Sequence, residues 1–142
     1  MLYQAPELSP RCGRLSGAAN VWSVGCIIAE LATGRPIFSV TTLQNHVCGI
    51  IELTGLPSQP TLSTISDAEL HNHALSLESV ARIPLAERVR NVDHRLLDLL
   101  SEVFFLDVDS TITCKGALSH KYLDDVRCDA DGFVCFPMRF VE

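Results

Sequence analysis

Six cysteines, 5 histidines and 17 carboxylates give this sequence ample groups for chemistry, so what matters is whether any spacing assembles them. His71 and His73, beside Asp67 and Glu69, offer the imidazoles and carboxylates that hold zinc. Side chains two positions apart diverge on a helix and no second pair backs them, so a solvated helix face is the expected reading. Cys114 and His120 supply the thiol and base of a thiol hydrolase, but a chain this rich in such residues yields that pairing by composition alone. Asp124, Asp125, Asp129 and Asp131 form an acidic run that fits either a solvated tail or a weak site for basic peptides. Gly13 and Gly17 are too few and wrongly spaced to cradle phosphates, and no G-x-G-x-x-G, Walker A or H-R-D run occurs. The expectation is no catalytic residue, no metal site and no cofactor-binding residue in these 142 positions.

The elements that must position these groups read as helices. Ala18 to Thr33 carries hydrophobics on nearly every side of a helical wheel, with Gly34 at C′ and Pro36 beyond it, which predicts a central, wrapped helix. Leu43, Val47, Ile50 and Ile51 place one apolar face on a helix over 42–53 that packs by a single side and stops at Thr54-Gly55-Leu56-Pro57. Ser58 to Asn91 is looser and more polar, although Ser66-Asp67-Ala68-Glu69 is a capping box that opens a helix to about Leu77. Asp93 caps a helix whose Leu96, Leu97, Leu100 and Val103 face inward, and Thr113 caps a short one through Leu118. The alternating run Gly132 to Val141 has no second run to pair with. The fold class is therefore mainly α, with five or six short helices and no repeat.

Bulk composition narrows the partners. The chain is long enough for one modest core, and 47% hydrophobic with 20% charged residues is ordinary for a globular domain. A formal charge of -6 with scattered bases argues against nucleic acid. The most apolar stretch, Val21 to Ala32, is shorter than the roughly 20 residues of a membrane span and contains Glu30. Met1 to Glu7 has neither the basic nor the apolar region of a leader peptide. Cys12, Cys26, Cys48, Cys114, Cys128 and Cys135 include no C-x-x-C pair, which predicts free thiols in a reducing compartment, cytoplasmic or nuclear.

Three blocks occur in order: Tyr3-Gln4-Ala5-Pro6-Glu7, then Asn20-Val21-Trp22-Ser23-Val24-Gly25-Cys26-Ile27, then Leu106-Asp107-Val108-Asp109-Ser110-Thr111-Ile112-Thr113. They resemble the A-P-E, D-x-W-S-x-G-C-I and D-x-x-x-R-I-T signatures of eukaryotic protein kinases, and the filler Ala29-Glu30-Leu31-Ala32-Thr33-Gly34-Arg35-Pro36 is family-like too. The excursion from Leu56 to about Asn91 sits where mitogen-activated protein kinases carry an insert. Thr54-Gly55-Leu56-Pro57, Leu106-Asp107-Val108-Asp109 and the ending Phe140-Val141-Glu142 look most like the stress-activated branch. The resemblance implies the C-terminal half of a kinase large lobe. In it, 1–17 is the A-P-E segment and loop, 18–34 the central helix, 42–53 an amphipathic helix, 56–92 the insert, 93–120 the last large-lobe helices and 121–142 an acidic tail.

Family members transfer phosphate from ATP with magnesium, using a glycine-rich loop, a strand Lys, a catalytic Asp and Asn and a D-F-G Asp, none of which occurs here. The structural motif residues carried over are Ala5, Pro6, Glu7, Asn20, Trp22, Gly25 and Thr111. Several depart from the pattern. Gln4 replaces an Arg that holds a phosphorylated activation-loop tyrosine, Asn20 replaces an Asp that braces the catalytic loop and reads simply as a helix cap, and Thr111 replaces the Arg that pairs with the A-P-E glutamate, here Glu7. Leu2 stands for a Trp and Val40 for a Gly. Trp22 reads as a core anchor. The family's acidic docking patch for basic peptides falls on Asp124, Asp125, Asp129 and Asp131, with Cys128 and Gly132 where further acids are expected. Three functions stay open: a non-catalytic large-lobe fragment with weak docking, an incomplete record of an active mitogen-activated kinase, and a free-standing helical adaptor.

Overall fold

The computed structural model describes residues 2–5, 17–38, 42–63, 68–105 and 110–126. Among them every regular element is a helix: α1 (Gly17–Thr33), α2 (Leu43–Thr54), α3 (Gln59–Leu62), α4 (Ala68–Ser76), α5 (Leu85–Arg88), α6 (His94–Val103), α7 (Cys114–Leu118) and a closing 3-10 turn (Lys121–Val126). This is the mainly α architecture of the kinase-like reading. Local chemistry sets the ends. Thr42, Asp93 and Thr113 each accept a backbone N–H of the first turn that follows, from Asn45, Arg95 and Gly116. Gly34 (φ 72) and Gly55 (φ 89) end α1 and α2 in a backbone region that other residues enter only at a cost. The sequence pattern missed α3 and α5, because four residues are too short to show a period. Ser66, Asp67 and the run Gly132 to Val141 lie outside the described residues.

The main core joins α1 to α6. Trp22 is 1% exposed; its ring stacks on Phe38 at 6.0 Å and meets Phe104 edge-on at 5.0 Å, both normal aromatic geometries. Around them close Val21, Cys26, Ala29, Ile50, Leu53, Leu96, Leu99, Leu100 and Val103. On α6 the inward residue is Leu99, not Leu97, which is only half-buried. With 96, 99, 100 and 103 the stripe keeps the i, i+3, i+4, i+7 spacing of one helix face, which 97 breaks. Gly25 sits where α1 crosses α6, and a Cβ there would fall 2.5 Å from Val103 Cγ1.

Two expectations about packing are corrected. Helix α1 is not wrapped: Val24, Ile27 and Leu31, at i, i+3 and i+7, are 52%, 46% and 80% exposed, so one apolar stripe faces outward. Helix α2 does not pack by one side. Ile50 and Leu53 join the main core, whereas Val47 and Ile51, one residue or about 100° round the helix, join a second cluster with Leu62, Leu70 and Ala74. Thus α2 is shared between the main core and the α3–α4 excursion.

Among the described cysteines, Cys26, Cys48 and Cys114 are free thiols. Burial pushes the Cys26 thiol up to about 12, while Cys114 stands exposed. A thiol-reactive probe at neutral pH should therefore modify Cys114 in the native chain and Cys26 only after denaturant is added. Native-state modification of Cys26 at a comparable rate, read by peptide mass spectrometry, would contradict this core.

Candidate functional site

The first motif block is docked by side-chain hydrogen bonds to the two longest helices. Ser23 Oγ donates to the Tyr3 carbonyl at 2.8 Å, Tyr3 Oη donates to Glu30 Oε2 at 2.7 Å, and Ala5 is buried. From α2, His46 Nε2 lies 3.1 Å from the Gln4 carbonyl. A carbonyl only accepts, so Nε2 carries the proton and the neutral ring keeps a bare Nδ1, which is buried without a hydrogen-bond partner among the described residues. Burial holds the His46 pKa below its ordinary 6.5 against the opposing Gln4 bond. The folded state thus refuses a proton that the unfolded chain accepts. Stability should be full above about pH 6.5 and fall as pH drops through that value. The melting temperature should decline as pH drops below about 6.5, and His46→Gln, which keeps a donor for Gln4 but does not titrate, should flatten that decline. An equal slope in the variant would contradict the buried neutral ring. Sequence pattern gave no sign of His46, because its partner lies 42 positions away.

The remaining motif residues are spread out. Trp22 and Gly25 are core; Pro6 and Glu7 lie outside the described residues, so the pairing of Glu7 with position 111 is not described. Thr111 is half-buried and its hydroxyl donates to the Phe105 carbonyl at 3.5 Å. Asn20 does not cap α1: the helix starts at Gly17, which puts Asn20 exposed in its first turn. It lines one end of an apolar groove of about 270 Å³ between α1, α6 and α7, with Val24, Ile28, Leu118 and Leu123.

His71 and His73 are half-buried and each engages a backbone carbonyl, so they are not a simply solvated face; Asp67, read beside them, lies outside the described residues. His71 Nδ1 meets the Leu62 carbonyl at 3.0 Å and His73 Nε2 the Gln44 carbonyl at 3.2 Å, so the two imidazoles tie α4 to α3 and α2. A different trio does converge: Asp98, Glu102 and His120 bring ligand atoms within 4.8 Å of one another. Lys121 Nζ, however, sits 2.8 Å from Asp98 Oδ2, with His120 Nε2 at 3.3 Å, and Lys121 with His120 holds that carboxyl below the usual range. An ammonium already supplies the cation there, so this site does not fit the magnesium that kinases use. In the acidic run, Asp125 accepts from Arg95 at 3.0 Å and Asp124 is exposed, whereas Asp129 and Asp131 lie outside the described residues.

The model of the protein kinase domain matches residues 1–123. The chain belongs to the protein kinase domain family. Within this kinase family it is 35% identical over 122 residues to mitogen-activated protein kinase p38b of Drosophila melanogaster, covering 86% of this chain and 33% of that protein. It is 34% identical over 121 residues to HOG1 of Cryphonectria parasitica (85% and 34%) and 32% identical over 121 residues to sty1 of Schizosaccharomyces pombe (85% and 35%), both mitogen-activated protein kinases. The likeness to the stress-activated branch and to the C-terminal part of the kinase large lobe therefore stands. The chain spans about a third of the length of these kinases. No described helix is long and apolar enough to cross a membrane.

Proposed function

We propose that this chain is a non-catalytic part of a stress-type mitogen-activated kinase large lobe, contributing protein contacts and no phosphoryl transfer. One contrast carries the reading. The supporting helices pack closely around Trp22 and Gly25, yet the 142 residues contain no glycine loop, H-R-D or D-F-G to hold ATP, magnesium or a substrate hydroxyl. Gln4, Asn20 and Thr111, each in place of a charged kinase residue, point the same way. Any docking partner is a basic peptide drawn to the acidic end. Since Arg95 already holds Asp125, such a peptide competes with that pair or relies on Asp124, Asp129 and Asp131. Its binding should be weak, fall steeply with salt, and disappear in Asp129→Asn/Asp131→Asn. Affinity indifferent to both salt and substitution rules docking out. A cytoplasmic or nuclear location accompanies this reading.

A second reading, part of an active ATP-dependent kinase, draws support from the exposed stripe Val24, Ile27 and Leu31 and the adjoining groove, apolar surface of the kind that takes a neighbour. Transcript sequencing upstream of Met1 separates the two, since an in-frame H-R-D and D-F-G would establish the enzyme. A monodisperse, cooperatively melting 142-residue chain would instead favour a free-standing helical adaptor.

A further inference from the structure

On the side of the fold marked by the end of α1 and the α5 segment, an open cleft of about 470 Å³ is lined by Arg35, Pro36, Ile37, Ile83, Glu87, Arg88 and Arg90. Three arginines and one acidic residue, Glu87, line it, in a chain whose formal charge is -6. Arg88 is largely buried. It pairs with Glu52 of α2 and donates Nη1 to the Ile37 carbonyl at 3.4 Å, which fixes one wall of the cleft to the core, and its Nε is buried with no hydrogen-bond partner among the described residues. Arg90 donates Nε to the Glu87 carbonyl at 2.9 Å, so its stem is fixed. Neither Arg35 nor Arg90, both exposed, has a carboxylate within ion-pair distance among the described residues.

We propose that this cleft binds a phosphorylated peptide, with the phosphate monoester held between Arg35 and Arg90 and apolar flanking side chains resting on Pro36, Ile37 and Ile83. Planar guanidinium forks match phosphate oxygens two at a time, and a dianion relieves the repulsion between gathered like charges. Glu87, the one acidic residue in the lining, works against an anion, and Arg35 and Arg90 together outweigh it. The negative chain as a whole disfavours anions elsewhere on the surface, so binding here is local and not a general attraction. The apolar lining distinguishes a peptide from a bare ion.

The test is a titration of the full chain with a capped tripeptide carrying phosphoserine between two leucines, followed through the arginine Nε–H signals by NMR. Arg35 and Arg90 should shift saturably, the serine version of the peptide should have no effect, and Arg35→Gln/Arg90→Gln should weaken binding by about tenfold or more. Both substitutions are at exposed positions and should leave the thermal melt unchanged. Equal shifts at Arg82 and Arg95, or no saturation, overturn the proposal. An equal response to inorganic phosphate reduces the site to an adventitious ion only, and a response to anionic vesicles but not to the peptide reassigns it to lipid; each of these overturns the peptide assignment.

Discussion

Gly25→Ala should destabilise the chain by about 1–3 kcal/mol, although alanine is the better helix former by about 1 kcal/mol. The new methyl would sit 2.5 Å from Val103 Cγ1 and 3.4 Å from Phe104 Cζ. Val103 has no escape, because a β-branched side chain in a helix holds essentially one χ1 rotamer, so α1 and α6 must separate. Gly17, on the same helix with nothing within 4 Å of its Cβ position, is the control: Gly17→Ala should be neutral or mildly stabilising. Val103→Ala removes the obstructing atom and itself leaves a cavity. In the double variant the two losses should add to less than their sum, with a coupling of about 0.5–3 kcal/mol by chemical denaturation. Additive losses would mean that the helices do not touch at these residues.

Trp22→Ala should cost more, about 3–5 kcal/mol, a large part of the about 5–15 kcal/mol available to a small domain. Its ring contacts Phe38 and Phe104, which also face each other at 6.3 Å, so truncation opens the centre of an aromatic cluster and not its edge. Trp22→Phe should be milder. It keeps the edge-to-face partner for Phe104 and removes an indole N–H that is buried without a hydrogen-bond partner among the described residues, offsetting part of the lost volume. The order natural chain, Trp22→Phe, Trp22→Ala in melting temperature, followed by circular dichroism, is the expected result. Equal melting temperatures would remove Trp22 from the core.

Short-range signals were the legible part of the fold. Capping oxygens at Thr42, Asp93 and Thr113, and glycines after α1 and α2, act within a few residues, so the sequence exposes them directly. What escaped the pattern depends on partners far along the chain. The division of α2 between two clusters arises because α4 packs on Val47 and Ile51, a neighbour that a single amphipathic stripe does not reveal. The structural use of His71 and His73 follows from carbonyls of Leu62 and Gln44, 9 and 29 positions away. The outward stripe on α1 reads in sequence as simple hydrophobicity. Among the described residues α1 packs on the main core through Val21, Trp22, Cys26 and Ala29, and Val24, Ile27 and Leu31 stay uncovered. The motif residues were legible as a family pattern, but the Lys121 that blocks the Asp98 cluster was not, since one ammonium among scattered bases has no signature.

Calorimetric titration of the full chain with ATP and magnesium tests the central claim most directly. With no glycine loop, catalytic Asp or D-F-G Asp in the sequence, and with Lys121 on the Asp98 carboxylate where acids converge, the account predicts no saturable heat up to about 1 mM nucleotide, the upper end of the usual enzyme range. Saturable, magnesium-dependent binding at micromolar nucleotide would contradict it.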